Sequence, residues 1–293
     1  VFFSRGVVQI SAFVDALLAS LLGTGAVAAL TFAQSLYTLP VSLFGMSVSA
    51  AELPAMSSAL GTDDEVKAQL RRRLDSGLRQ IAFLIVPSAI GFLALGDVMV
   101  GALYQTGQFT RADSIYVWGI IAGSSIGLLP TTLGRLYAST FYALHDTRTP
   151  LRFAVVHVVV AVVLGYLLAI PLPGALGIDL RWGAIGLTTA AGLGGWAEFL
   201  LLRRSLNKRI GRTGLPLPFI AKLWITAVVA AAIGWGIKLL IVDAIGVNRP
   251  ILTALAVLGP YGITYFTLTS LLGLPEASRI VGRLTKVLKR GRG

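Results

Sequence analysis

Leu151–Leu172 reads LRFAVVHVVVAVVLGYLLAIPL. Apart from Arg152 at its start and His157 further in, the run is almost wholly apolar and shows no period-two alternation. A membrane-crossing helix needs about 20 such residues. A membrane β-strand needs about half that number and alternates faces. The stretch therefore reads as a transmembrane helix. The same reading carried outward gives eight apolar segments, roughly at 2–22, 26–60, 78–103, 114–144, 151–172, 182–202, 219–242 and 250–273. The expected fold is an all-α integral membrane protein with eight transmembrane helices. Composition agrees: 13% of the residues are charged, against about 25% in a soluble domain. A water-soluble globule is excluded.

The segment 26–60 is too long for one perpendicular crossing, and it contains Pro40 and Pro54. Proline removes a backbone donor and kinks a helix, so one bent, tilted helix is expected. Pro87, Pro130 and Pro260 fall inside other spans; neighbouring helices must satisfy the carbonyls they free. Gly119, Gly123 and Gly127 repeat every fourth residue, which lets another helix approach closely. Pro171, Pro173 and Gly174 suggest a turn on the outer side.

Charge sets the expected orientation. The formal net charge is +12. Nineteen of the 25 Lys and Arg residues lie in the stretches 67–79, 148–152, 203–222 and 279–292, whereas the opposite connections hold Arg111, Arg181, Lys238 and Arg249. By the positive-inside rule the first set, and with it the C-terminus, faces the cytoplasm. The reading divides the chain into a six-helix lobe (1–212), two additional helices (213–275) and a basic amphipathic cytoplasmic tail (276–293), which either lies along the membrane surface or frays as an ordinary positive-inside tail. The chain begins at Val1, inside an apolar run, and reads as a partial sequence whose N-terminal portion is missing.

Several chemistries are excluded. The sequence has no cysteine and two histidines, His145 and His157, so thiolate catalysis, zinc–sulfur sites and a histidine-rich metal centre are out of reach. It also lacks a Walker-type phosphate loop, a zinc-protease helix and a nucleophile elbow. No enzymatic activity, cofactor or nucleic-acid partner is expected. Any transport must draw on an ion gradient, the membrane potential or a downhill substrate.

The informative residues are ionisable or polar groups within apolar spans, where a charge costs about 2.5–3.5 kcal/mol or more unless it faces a cavity or a partner. Asp15, Glu52, Arg135, His157 and Glu198 are the candidates. Glu52 and Arg135 should lie about 12 and 15 Å from the cytoplasmic boundary. His157 and Glu198 each lie five positions from a basic boundary, hence about 7–8 Å deep on consecutive antiparallel helices. They should pair within about 4 Å. Gln9, Gln34 and Ser35 should line a polar face on the first two spans.

Three stretches carry a family resemblance: QISAFVDALLAS at Gln9–Ser20, continuing through Leu39–Pro40 to LFGMSVSAAELPAMS at Leu43–Ser57; YQTGQFT at Tyr104–Thr110; and FYALHDTRTPLR at Phe141–Arg152. Together they resemble the MurJ/MviN family of lipid II flippases, within the multidrug/oligosaccharidyl-lipid/polysaccharide exporter superfamily. The resemblance implies that the eight spans are helices seven to fourteen of a fourteen-helix protein in the bacterial cytoplasmic membrane. It implies export of a polyprenyl-diphosphate-linked cell-wall precursor by alternating access between two lobes. The partners would be that lipid, the surrounding membrane lipids and the missing N-terminal half. Arg135 matches a basic position in the family's tenth helix. Gln34, Ser35 and Pro40 stand where members often carry an Asp-Arg pair and a proline. Asp15 matches an acid used by some members to bind sodium, while Ala161 and Gly165 stand near the companion Asn/Asp pair. The other readings are an exporter of another polyprenyl-linked saccharide or a small cation, and a non-transporting membrane scaffold.

Overall fold

A computed structural model describes residues 13–58, 61–245 and 249–277. These residues are overwhelmingly helical and contain no strand. Residues 13–20 form α1. The elements that follow are α2 (Ala26–Ser57), α3 (Asp63–Tyr104), α4 (Arg111–Ala143), α5 (Arg148–Ala169), the short α6 (Pro171–Leu176), α7 (Gly183–Ile210), α8 (Leu217–Ile245) and α9 (Pro250–Leu271). Among the described residues seven helical segments are long and apolar enough to cross a membrane. They coincide with the second to eighth spans read from hydropathy. Most of the first span, with Arg5 and Gln9, lies outside the described residues, as does the tail beyond Ala277. The protein is an all-α, multi-pass membrane protein.

Helix starts follow the sequence. At the head of α3 the Thr62 N–H donates to the Glu65 carboxylate (2.8 Å), and at the head of α4 the Thr110 N–H donates to Asp113 (2.9 Å). Both are reciprocal capping boxes, which satisfy amide groups with no partner inside the helix. The expected turn at Pro171–Gly174 is instead a helical turn. Proline at the first helical position has the right φ and lacks a donor that would be unpaired anyway.

The prolines show how neighbouring helices are joined. A proline leaves the carbonyl four residues earlier without its helical donor. For Pro87 that carbonyl is Phe83, and the Tyr265 hydroxyl of α9 donates to it at 2.7 Å. The Tyr261 hydroxyl, one turn away, donates to the Pro87 carbonyl itself at 2.6 Å. For Pro130 the freed carbonyl is Ile126, and the Trp196 indole of α7 donates to it at 3.0 Å. In α2 the proline acts differently. Helix Ala26–Pro40 runs directly into a π-turn, Val41–Met46, and then into helix Ser47–Ser57, the single bent helix expected.

α7 is the central strut, packed along both α4 and α5; α4 also packs on α3. Glycines make both contacts of α7 possible. A Cβ on Gly127 would sit 2.6 Å from the Gly192 Cα, and one on Gly123 would sit 2.5 Å from the Thr188 hydroxyl. On the other face a Cβ on Gly183 or Gly186 would collide with the α5 carbonyls of Ala169 and Leu168. The backbones are thus in direct contact, as small residues allow in membrane bundles. α8 and α9 pack on each other and reach the other helices mainly through α3.

One cation is not where the loop assignment put it. Lys238 lies inside α8 and pairs with Asp97 of α3 at 2.5 Å. Beyond α9, Glu276 is nearly buried and accepts from Arg79 of α3 at 2.8 Å, while the Arg79 guanidinium lies over the Phe219 ring.

Candidate functional site

α2 has two chemically different faces. Thr31, Gln34, Ser35 and Thr38 recur at helical spacing and are all exposed. The hydroxyls of Thr31, Ser35 and Thr38 donate to the carbonyls of Val27, Thr31 and Gln34 at 2.8–2.9 Å, so their lone pairs remain open. Gln34 and Ser35 thus lie on one exposed polar stripe; Gln9 lies outside the described residues. The opposite edge of α2, at Leu36, Leu39, Pro40 and Leu43, borders an apolar groove of about 510 Å³ closed by α3 and by Leu258, Tyr261 and Tyr265 of α9. The family resemblance implies a lipid-tail groove formed with the two additional helices; hydropathy alone does not show it, because its third wall comes from a helix more than 200 residues away.

Arg135 is exposed on α4 and lies close enough to Tyr37 of α2 to act on it electrostatically. Among the described residues it has no acidic partner within ion-pair distance. Glu52, at similar depth, is not its partner. The Glu52 carboxylate is turned toward α3, where Arg73 approaches to 3.8 Å and its side chain lies beside Gly77. The two groups expected at one depth thus occupy different faces.

The ionisable cluster of α5 and α7 forms as its spacing predicts. His157 Nδ1 and Glu198 Oε2 are 2.7 Å apart, and both side chains are about three-quarters buried. Gly194, one turn before Glu198, leaves space for the imidazole: a Cβ there would sit 2.6 Å from the ring carbon Cδ2. Asp15 of α1 acts electrostatically on the same histidine, so the cluster joins three helices around a single imidazole. Imidazole is the side chain whose charge changes near neutral pH.

The corner at Phe141–Arg152 is built as a clamp. His145 adopts a left-handed φ of 57° at the end of α4. Asp146 then accepts from the Arg148 and Thr149 amides (3.0 Å each), the Thr149 hydroxyl (2.7 Å) and Arg209 of α7 (2.6 Å). Partial burial raises the Asp146 carboxyl's proton affinity, but these hydrogen bonds and the Arg209 charge outweigh it and bring its pKa down to about 2.

Known proteins are similar to this chain. The family model for the lipid II flippase MurJ matches residues 1–253. A probable lipid II flippase MurJ of Vibrio cholerae is 27% identical over 276 residues, covering 93% of this chain and 50% of the relative. One from Rhizobium meliloti is 32% identical over 229 residues, covering 78% and 40%. A solved lipid II flippase MurJ in an inward closed conformation superposes with a TM-score of 0.73 at 21% identity, over 92% of this chain and 53% of that one. The chain thus spans about half the length of the relatives it matches. The match to the family model covers the polar stripe, Arg135 and the His157–Glu198 cluster alike, and the chain belongs to the lipid II flippase MurJ family.

Proposed function

We propose that this chain is one half of a transporter that flips lipid II across the bacterial cytoplasmic membrane by alternating access. The observation that carries the reading is the two-sidedness of α2. Its polar stripe is exposed, and its other edge borders the apolar groove. An amphiphile with a polar head and a long polyprenyl tail needs both environments, separated by one helix. Arg135 is the cation best situated for the diphosphate, since a guanidinium binds phosphate oxygens in pairs. Lobe 1–212 would face the remaining half of the transporter, and the additional helices of 213–275 complete the tail groove. The loops rich in Lys and Arg, and the C-terminus, face the cytoplasm.

The Asp15–His157–Glu198 cluster is the coupling element in this reading. Ionisable side chains from three helices within an apolar layer are costly to keep there without a function. Glu52, held near Arg73, is a further coupling candidate outside this cluster. Depletion of the protein in its own cell tests the function: lipid II should accumulate in the inner leaflet. Accumulation of a different polyprenyl-linked saccharide, or an unchanged leaflet distribution, rejects the reading.

A further inference from the structure

At the end of the molecule opposite the basic loops, the Lys238–Asp97 pair is buried about 10 Å inside the ends of its two helices, seven residues from Ile245 and from Tyr104. Each side chain is less than one-fifth exposed. An ion pair at such a depth is costly and marks a functional site by default. Beside it lies a cavity of about 70 Å³ between α3, α4, α8 and α9, lined by both residues and by Arg111, Gln105, Ser114 and Thr253. The cavity shares no residue with the apolar groove.

Three features define what fits. Lys238 gives one of its three N–H groups to Asp97, and Arg111 has no acidic partner among the described residues. Two cations, the buried Lys238 and the exposed Arg111, and one carboxylate leave one net positive charge at the cavity, which one monoanion cancels. The volume is the second feature. At about 10–15 Å³ per water-sized occupant, the cavity takes roughly five to seven non-hydrogen atoms, the size of a phosphate group and one or two atoms more. The third feature is Asp97 Oδ1, which is buried without a hydrogen-bond partner among the described residues. It is open to an O–H or N–H donor, which a phosphodiester lacks and a head-group alcohol or amine supplies.

We propose that this cavity binds the phosphodiester head group of a membrane phospholipid, with Lys238 and Arg111 on the phosphate and Asp97 on the head-group donor. The cavity encloses the phosphate, and the rest of the head group leaves through its open side; a diphosphate overcompensates the charge. The site takes bulk lipid, not transported substrate, and holds whether or not the chain flips lipid II.

The test uses the full chain in an uncharged detergent, titrated with dihexanoyl phosphatidylglycerol and followed by thermal unfolding and native mass spectrometry. Inorganic phosphate and dihexanoylglycerol are the comparisons. The phospholipid should raise Tm saturably and remain bound in the gas phase, while neither comparison does so. Arg111→Gln leaves the buried pair intact and should weaken binding about tenfold or more, the loss of one charge-assisted contact. The double variant Asp97→Asn/Lys238→Met replaces the pair with neutral groups of similar size, which a fold often tolerates, and should abolish the shift. Equal stabilisation by dihexanoylglycerol would reduce the effect to apolar contact. Equal stabilisation by phosphate would make it a free-anion site. Unchanged affinity in both variants would leave the ion pair as a strut only. Each of these three results overturns the proposal.

Discussion

The Tyr265 hydroxyl stands 2.7 Å from the Phe83 carbonyl, the acceptor that Pro87 strips of its own helical donor. The phenol side chain is almost wholly buried, so the bond has no water to replace it. Tyr265→Phe should therefore destabilise the protein by about 1–2 kcal/mol, the cost of an unsatisfied buried acceptor. Restoring the helical donor with Pro87→Ala should recover most of that loss in the double variant. Thermal unfolding of both in detergent checks this; additive losses would show that the hydroxyl and the proline are unrelated.

The glycine contacts of α7 predict a sharp positional contrast. Gly127→Ala places a methyl 2.6 Å from the Gly192 backbone and should cost about 1–3 kcal/mol by overpacking. A Cβ at Gly236 of α8 meets nothing within 4 Å, so Gly236→Ala should leave stability unchanged or slightly raised. Similar Tm values for the two variants would mean that α4 and α7 are not in backbone contact.

Asp146 gives a signed pH dependence. Its pKa in the fold is about 2, below the ordinary 3.8. Its contribution is therefore fully present above about pH 4 and is lost as the pH falls through 2. With an exposed rim the contribution is on the order of 1 kcal/mol. Comparing Asp146→Asn with the parent between pH 2 and 6 should show curves that converge at the acid end. Parallel curves would exclude the clamp as their cause.

Arg135→Ala should reduce lipid II flipping by at least about tenfold in the intact transporter without lowering its Tm, because no acid is left unpaired by the change. Arg135→Lys should recover only part of the rate, since an ammonium lacks the fork. Full activity in Arg135→Ala would remove this residue from the substrate site.

Glu198→Gln keeps the shape of the His157 contact and removes its charge. In the coupling reading, the pH profile of transport by this variant should differ from the parent's. A pH profile identical to the parent's would make the pair a structural tie.

Much of this architecture was legible in the sequence because hydropathy acts along the chain. Seven spans follow from the length of their apolar runs, and the His157–Glu198 pair follows from depth, since consecutive antiparallel helices are neighbours and share one boundary. What could not be read comes from partners distant in sequence. Tyr265 meets Phe83, and Lys238 meets Asp97, across intervals of 182 and 141 residues. Depth alone also misled for Glu52 and Arg135: it set both at one level and said nothing of the side of the bundle each faces.

The π-turn after Pro40 supplies that missing quantity. In an unbroken α-helix, Glu52 would follow Thr38 by about 40° less than four full turns, nearly in phase with the polar stripe. A π-turn carries about one residue more than the α-ladder, which shifts everything beyond it by roughly another 100°. Glu52 is rotated out of the open face and onto α3, beside Gly77 and Arg73. The stripe on α2 therefore carries hydroxyls and an amide but no carboxylate. In the proposed function, an anionic substrate passing that face would meet no fixed negative charge from this helix.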